Sequence, residues 1–76
     1  MDEHDIHTKE KLKFYLDEKI AIHLNLSKGR WANGSVIKIK EKTFIFEEEK
    51  LGKTLIFFEE VINLAPRKKK EEVVKG

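Results

Sequence analysis

From Ile20 onward the chain is cut into short apolar runs by brief turn-forming segments: Ser27 to Gly29, Lys40 to Lys42, Lys50 to Lys53, and Glu59 with Glu60. No other feature limits the fold so strongly. A parallel crossover between strands needs about a dozen residues or more, so consecutive runs are predicted to pair as antiparallel neighbours.

The runs themselves read as strands. Ile20, Ile22, Leu24 and Leu26 alternate with Ala21, His23 and Asn25, the pattern of a half-buried strand. A second strand is predicted from Arg30 through Gly34 to Ile39. Glycine within a strand permits a bend or a close backbone approach, and Val36 and Ile39 stand three apart instead of two, which predicts a bulge. Thr43 to Glu47, Thr54 to Phe58 and Val61 to Leu64 supply three more, and Pro66 ends the last. Ahead of them, Thr8 is expected to cap a helix over 8–18, with Glu10 in its first turn and Leu12, Tyr15 and Leu16 as one apolar stripe. The expected organisation is a flexible tail over 1–7, one domain over 8–66 and a basic flexible tail over 67–76. The fold class is mainly β: an N-terminal α-helix and then a five-stranded, strongly bent antiparallel small barrel.

A domain within 76 residues has a small core, and such folds recruit disulfides, metals or partner chains. The chain has no Cys and only His4, His7 and His23 as imidazoles, so oligomerisation is the route left open and no metal or cofactor is expected. Thr54 to Phe58 is apolar on both faces of its strand and is predicted to be covered twice. Left bare, it would be an aggregation hazard.

Charge and motifs narrow the function. Residues 1–66 carry 11 Lys/Arg against 12 Asp/Glu, and residues 67–76 carry 5 against 2. Nucleic acid is therefore not attracted by the body's net charge, only by local clusters or the tail. No apolar run is long enough to span a bilayer and no signal peptide opens the chain, so a soluble, cytoplasmic protein without membrane contact is expected. Catalysis is not expected: Ser27 and Ser35 lack a His and an acid at nucleophile spacing, and phosphate-loop glycines are absent. Glu47 to Glu49 and Glu59 with Glu60 read as charged strand ends that blunt aggregation. Asp2, Glu3, His4, Asp5 and His7 read as a solvated tail, and His23 as a surface or interface histidine.

Three features point to RNA. Lys38, Lys40 and Lys42 recur at every second position and offer phosphate contacts, against the plainer reading of a solvated stripe. Arg30 and Trp31 offer a stacking platform for an unpaired base, with Asn25 supplying an amide across the hairpin; the plainer reading puts Trp31 in the core. Arg67 to Lys70 form a basic arm.

The order of elements resembles the Sm/LSm family of RNA-binding barrels, most of all its bacterial Hfq-type branch of RNA chaperones. The resemblance covers residues 8–66. It rests on Leu12 and Leu16, on Ile22, Leu24 and Leu26, on Gly29, on Gly34 with Val36 and Ile39, on Phe44, Ile45 and Phe46, and on Val61, Ile62, Leu64 and Pro66. It implies an Sm-like (SH3-like) barrel in a closed hexameric or heptameric ring. The fourth strand would pair with the next subunit's fifth, through Leu55, Ile56, Phe57, Phe58, Val61 and Ile62. The turn at 40–42 would face the central pore, and Arg30 and Trp31 the opposite side. The family's reader positions differ here: Lys40 replaces an acid, Lys42 a base-stacking ring, and Phe57, Phe58 and Glu59 meet the second motif's basic pair. The expected function is non-catalytic binding of single-stranded or loop RNA by a homo-oligomeric ring. The alternatives are a structural or protein-interaction barrel that has lost RNA binding, and a barrel subunit of a larger ribonucleoprotein.

Overall fold

The computed structural model describes residues 3 to 67. Asp2 and the basic run Lys68, Lys69 and Lys70 lie outside the described residues. A helix, α1 (Glu3–Glu18), precedes five strands: β1 (Ile22–Leu26), β2 (Trp31–Ile39), β3 (Thr43–Glu48), β4 (Gly52–Phe57) and β5 (Val61–Pro66). All pairings are antiparallel in one sheet of order β4-β3-β2-β1-β5. β1 to β4 pair with their chain neighbours, as the short connections predict, but β5 does not pair with β4: the 3₁₀ turn Phe58–Glu60 redirects the chain and β5 pairs with β1 instead. β4 and β5 are its two edges, so the sheet is bent but not closed on itself. No helix among the described residues is long and apolar enough to cross a membrane.

Alternation sends Ile22, Leu24 and Leu26 of β1 inward together with Phe44 and Phe46 of β3. Phe44 is the hub, edge-on to Phe46 with centroids 6.3 Å apart and stacked on Phe58 at 5.9 Å. Phe58 is not the end of a strand, as its run predicts. It opens the 3₁₀ turn Phe58–Glu60, where a break in the extended backbone lets it turn fully inward.

The bend depends on β2. Gly34 pairs with Ile22 on one side and Glu48 on the other, and a Cβ added there would meet the Glu47 carbonyl oxygen at 2.0 Å. Two residues later the register shifts between Val36 and Lys38, leaving Ile37 as the extra residue of a bulge. Inward positions therefore run Ala32, Gly34, Val36 and then Ile39, the phase slip expected from the sequence.

The helix corrects one expectation. Residues 3–7 are not a flexible tail, since α1 begins at Glu3, and Thr8 is not its cap but a buried mid-helix residue. Thr8 and Leu12 are one turn apart and both buried, so Thr8 packs as a mid-helix residue, while Glu3, His4, Ile6 and His7 of the added turn stay exposed. Glu3 and Asp5 also place carboxylates in the positive first turn. At the other end Lys19 takes φ 58°; its N–H donates to Leu16 C=O (3.2 Å) and that of Ile20 to Tyr15 C=O (3.0 Å). That paired closure ends the helix cleanly without glycine.

Gly34→Ala is expected to lower stability by about 2 to 3 kcal/mol, because β3 must retreat from the new methyl. Urea unfolding measures it; a loss below about 0.5 kcal/mol would mean that the close approach of β2 to β3 yields freely.

Candidate nucleic-acid interface

The turn Ser27–Gly29 sets the site. Lys28 and Gly29 both take positive φ (64° and 73°), which closes a tight connection and makes β1 and β2 mirror each other about Lys28. His23 thus faces Asn33, and Asn25 faces Trp31. On its other side β1 meets β5, where Asn63 lies across from Asn25 and Ala65 from His23. Since Ile22, Leu24 and Leu26 point inward, these partners point outward. The outer face therefore carries two rows, Asn63, Asn25 and Trp31, then Ala65, His23 and Asn33.

The side chains interlock. His23 Nδ1 is 2.6 Å from Asn33 Oδ1, and its Nε2 is 3.3 Å from Asn25 Oδ1. The imidazole stacks on the Trp31 indole with centroids 5.9 Å apart and planes 29° apart. Trp31 is nonetheless 60% exposed, so it is a surface residue, contrary to the plainer core reading. Support from one side and openness on the other suit it to stacking on a ligand ring. Trp31 also borders a groove of about 400 Å³ whose walls include Leu26, Ala32, Leu51, Leu55 and Ile56.

The arginines beside this face are already engaged. Arg30 donates to Glu60 at 2.8 Å and to the Ser27 carbonyl, and Arg67 pairs with Glu49. Arg30, expected to form a stacking platform with Trp31, also ties the hairpin to the turn before β5 through Glu60. The acidic runs have structural tasks too: Glu48 accepts from the N–H groups of Lys50 and Leu51 in the β3–β4 turn.

The structure separates the lysines from Trp31. Lys40 and Lys42 sit in the β2–β3 turn, at the opposite end of β2, where Lys40 N–H donates to Thr43 C=O and Lys42 C=O accepts from Phe58 N–H. The strand stops at Ile39, so Lys38 does not share a regular face with them. It lines a second groove with Lys9 and Lys13 of α1, floored by Leu16, Ile37 and Ile39. His4 and His7 stand on α1, and among the described residues no three potential metal ligands converge.

Of the expected interface residues, Ile56, Phe58 and Val61 have their side chains buried within the single chain. Leu55 (51% exposed), Phe57 (44%) and Ile62 (65%) remain open on the two edge strands. The second apolar face of β4 is thus not covered by this chain alone.

Sequence reasoning missed Asn33 and Asn63 and read His23 only as a surface or interface histidine. The hairpin half of the cluster had a signal, because reflection about Lys28 pairs 23 with 33. The β5 half had none, since that pairing closes across most of the domain.

Trp31→Ala is expected to change unfolding free energy by less than about 0.5 kcal/mol, as for surface positions generally. A much larger loss in a thermal or urea melt would restore Trp31 to a structural role. No protein-family model and no curated protein matches the chain, so a functional reading rests on this geometry.

Proposed function

We propose that the chain is an Sm-like subunit that assembles head to tail into a homo-oligomeric ring and binds single-stranded or loop RNA without catalysis. The observation that carries the RNA reading is Trp31, open to solvent on one face and held on the other by an imidazole fixed between two amides. Amides beside it are groups that read base edges.

Assembly is supported by the sheet order. β4 and β5 each offer an unpaired backbone edge, and each carries exposed apolar side chains, Leu55 and Phe57 on one and Ile62 on the other. A β4-to-β5 union between copies satisfies both edges, and closure leaves none. By resemblance the ring has six or seven subunits and turns Lys40 and Lys42 toward the pore, where repetition concentrates a modest charge. Those lysines hold phosphate as point charges without reading a base. A cytoplasmic location belongs to the same reading.

A structural or protein-interaction ring is the second reading, favoured by the pairing of Arg30 with Glu60 and by the altered reader positions. Native mass, measured together with the absorbance of any co-purifying nucleic acid, separates the two: a ring without RNA affinity supports the second.

Phe57→Asp and Ile62→Asp are each expected to reduce the native mass to that of a single folded chain, because an unpaired carboxylate buried at the joint costs several kcal/mol. An unchanged mass in both would remove the edge-to-edge joint.

Trp31→Ala is expected to weaken binding of short unpaired RNA by about 1 to 3 kcal/mol for each stacked base. Lys40→Ala with Lys42→Ala should lower the slope of log affinity against log salt by about 0.7 for each phosphate that is no longer neutralised. Titration at several salt concentrations checks both, and undiminished affinity in every variant would place RNA elsewhere or nowhere.

A further inference from the structure

We infer that the cleft between α1 and the bulged half of β2 is a docking site for a protein partner, an acidic segment carrying aliphatic side chains, and that Lys38 serves this contact instead of RNA. The inference goes beyond the RNA reading and does not depend on it.

The cleft holds about 360 Å³, within the span of about 300 to 1,000 Å³ typical of sites that seat a ligand. The bulge of β2 makes it. Inward positions pass from Val36 directly to Ile39, so the extra residue Ile37 leaves the core series and stays 40% exposed. There it lines the cleft together with Ile39 and with Leu16 of α1, and the three aliphatic side chains form an apolar floor. Lys9 and Lys13 are one helical turn apart, and Leu16 follows Lys13 by three residues, which sets all three on one side of α1. Lys38 lines the cleft from β2.

Three ammonium groups thus border an aliphatic floor, and Asp17 is the one carboxylate in the lining. None of the three lysines has an ion-pair partner among the described residues, whereas Arg30 and Arg67 are both neutralised by glutamates. A complementary occupant brings carboxylates to the lysines and sets Leu, Ile or Val on the floor, so that charge fixes its orientation and apolar contact holds it. RNA suits the cleft less well. Among the described residues its lining has no ring on which a base can stack and no amide or hydroxyl to read a base edge, and Asp17 repels phosphate. Trp31 and the lysines of the β2–β3 turn are outside the lining, so RNA and a peptide partner occupy separate surfaces.

The test uses the full chain and a fluorescein-labelled hexapeptide, Glu-Glu-Leu-Leu-Glu-Glu, followed by fluorescence anisotropy, with Glu-Glu-Ala-Ala-Glu-Glu and Lys-Lys-Leu-Leu-Lys-Lys as comparisons. Each comparison lacks one of the two complementary features and is expected to bind about tenfold more weakly or worse. Ile37→Ser and Lys38→Glu should each weaken binding of the acidic leucine peptide by about fivefold. Both positions are exposed, so thermal melts of the two variants should stay close to that of the unaltered chain. In the unaltered chain the peptide should shift the methyl resonances of Leu16, Ile37 and Ile39 and leave the Trp31 indole N–H unmoved, a readout that needs no variant. Oligouridylate affinity unchanged in both variants supports the assignment of Lys38. Absent binding of the acidic leucine peptide, equal binding of the leucine and alanine peptides, or methyl shifts confined to other residues overturns the inference. Oligouridylate that displaces the peptide and binds less tightly to both variants overturns it too, and makes the cleft an RNA site.

Discussion

Where β2 crosses β3, the carbonyl oxygen of Glu47 occupies the space that a side chain on residue 34 would need, and only glycine lets the two backbones come so close. The rest of the molecule is arranged around that approach. Because β2 bends there and bulges just beyond, its two halves face different parts of the interior, and a single sheet wraps around Phe44, Phe46 and Phe58. Leu12 of α1 then enters the same core as Ile22 and Leu24. A flat sheet of these strands would leave one layer of apolar side chains uncovered.

The bend also places the candidate binding surfaces. The first half of β2 carries Trp31 and Asn33 against β1, while its second half leads to the exposed lysines of the β2–β3 turn. The aromatic platform and the point charges are therefore distinct surfaces at opposite ends of one strand, joined only through the fold. On the hairpin the polar groups satisfy one another: His23 holds two amides and supports an indole, and the nearby arginines are neutralised by glutamates. Such a network fixes side-chain geometry more than it adds stability, since exposed ion pairs contribute little.

Leu55, Phe57 and Ile62 show what the core of this small chain leaves unfinished. Their strands bury alternate residues well, with Ile56 and Val61 fully engaged, yet the remaining apolar groups stand on open edges. A lone sheet with such edges invites pairing with another chain. Pairing with a second copy covers the groups that the first leaves bare.

The sequence by itself determined the number and order of the strands, the antiparallel pairing of β1 through β4, the turn at Ser27–Gly29, the break at Gly34 and the phase slip before Ile39. These are local properties, written in alternation, in connection length and in residues that allow special backbone geometry. Tertiary structure alone decided where α1 begins, that Thr8 is buried, that Phe58 turns inward from a 3₁₀ turn, and that Trp31 lies outside. It also decided which polar residues meet. Asn63 comes beside Asn25 only because β5 returns to β1, and Lys38 is drawn from the lysines of the turn toward Lys9 and Lys13 of the helix. Contacts between segments far apart in the chain depend on how the whole core packs, and no local pattern records that.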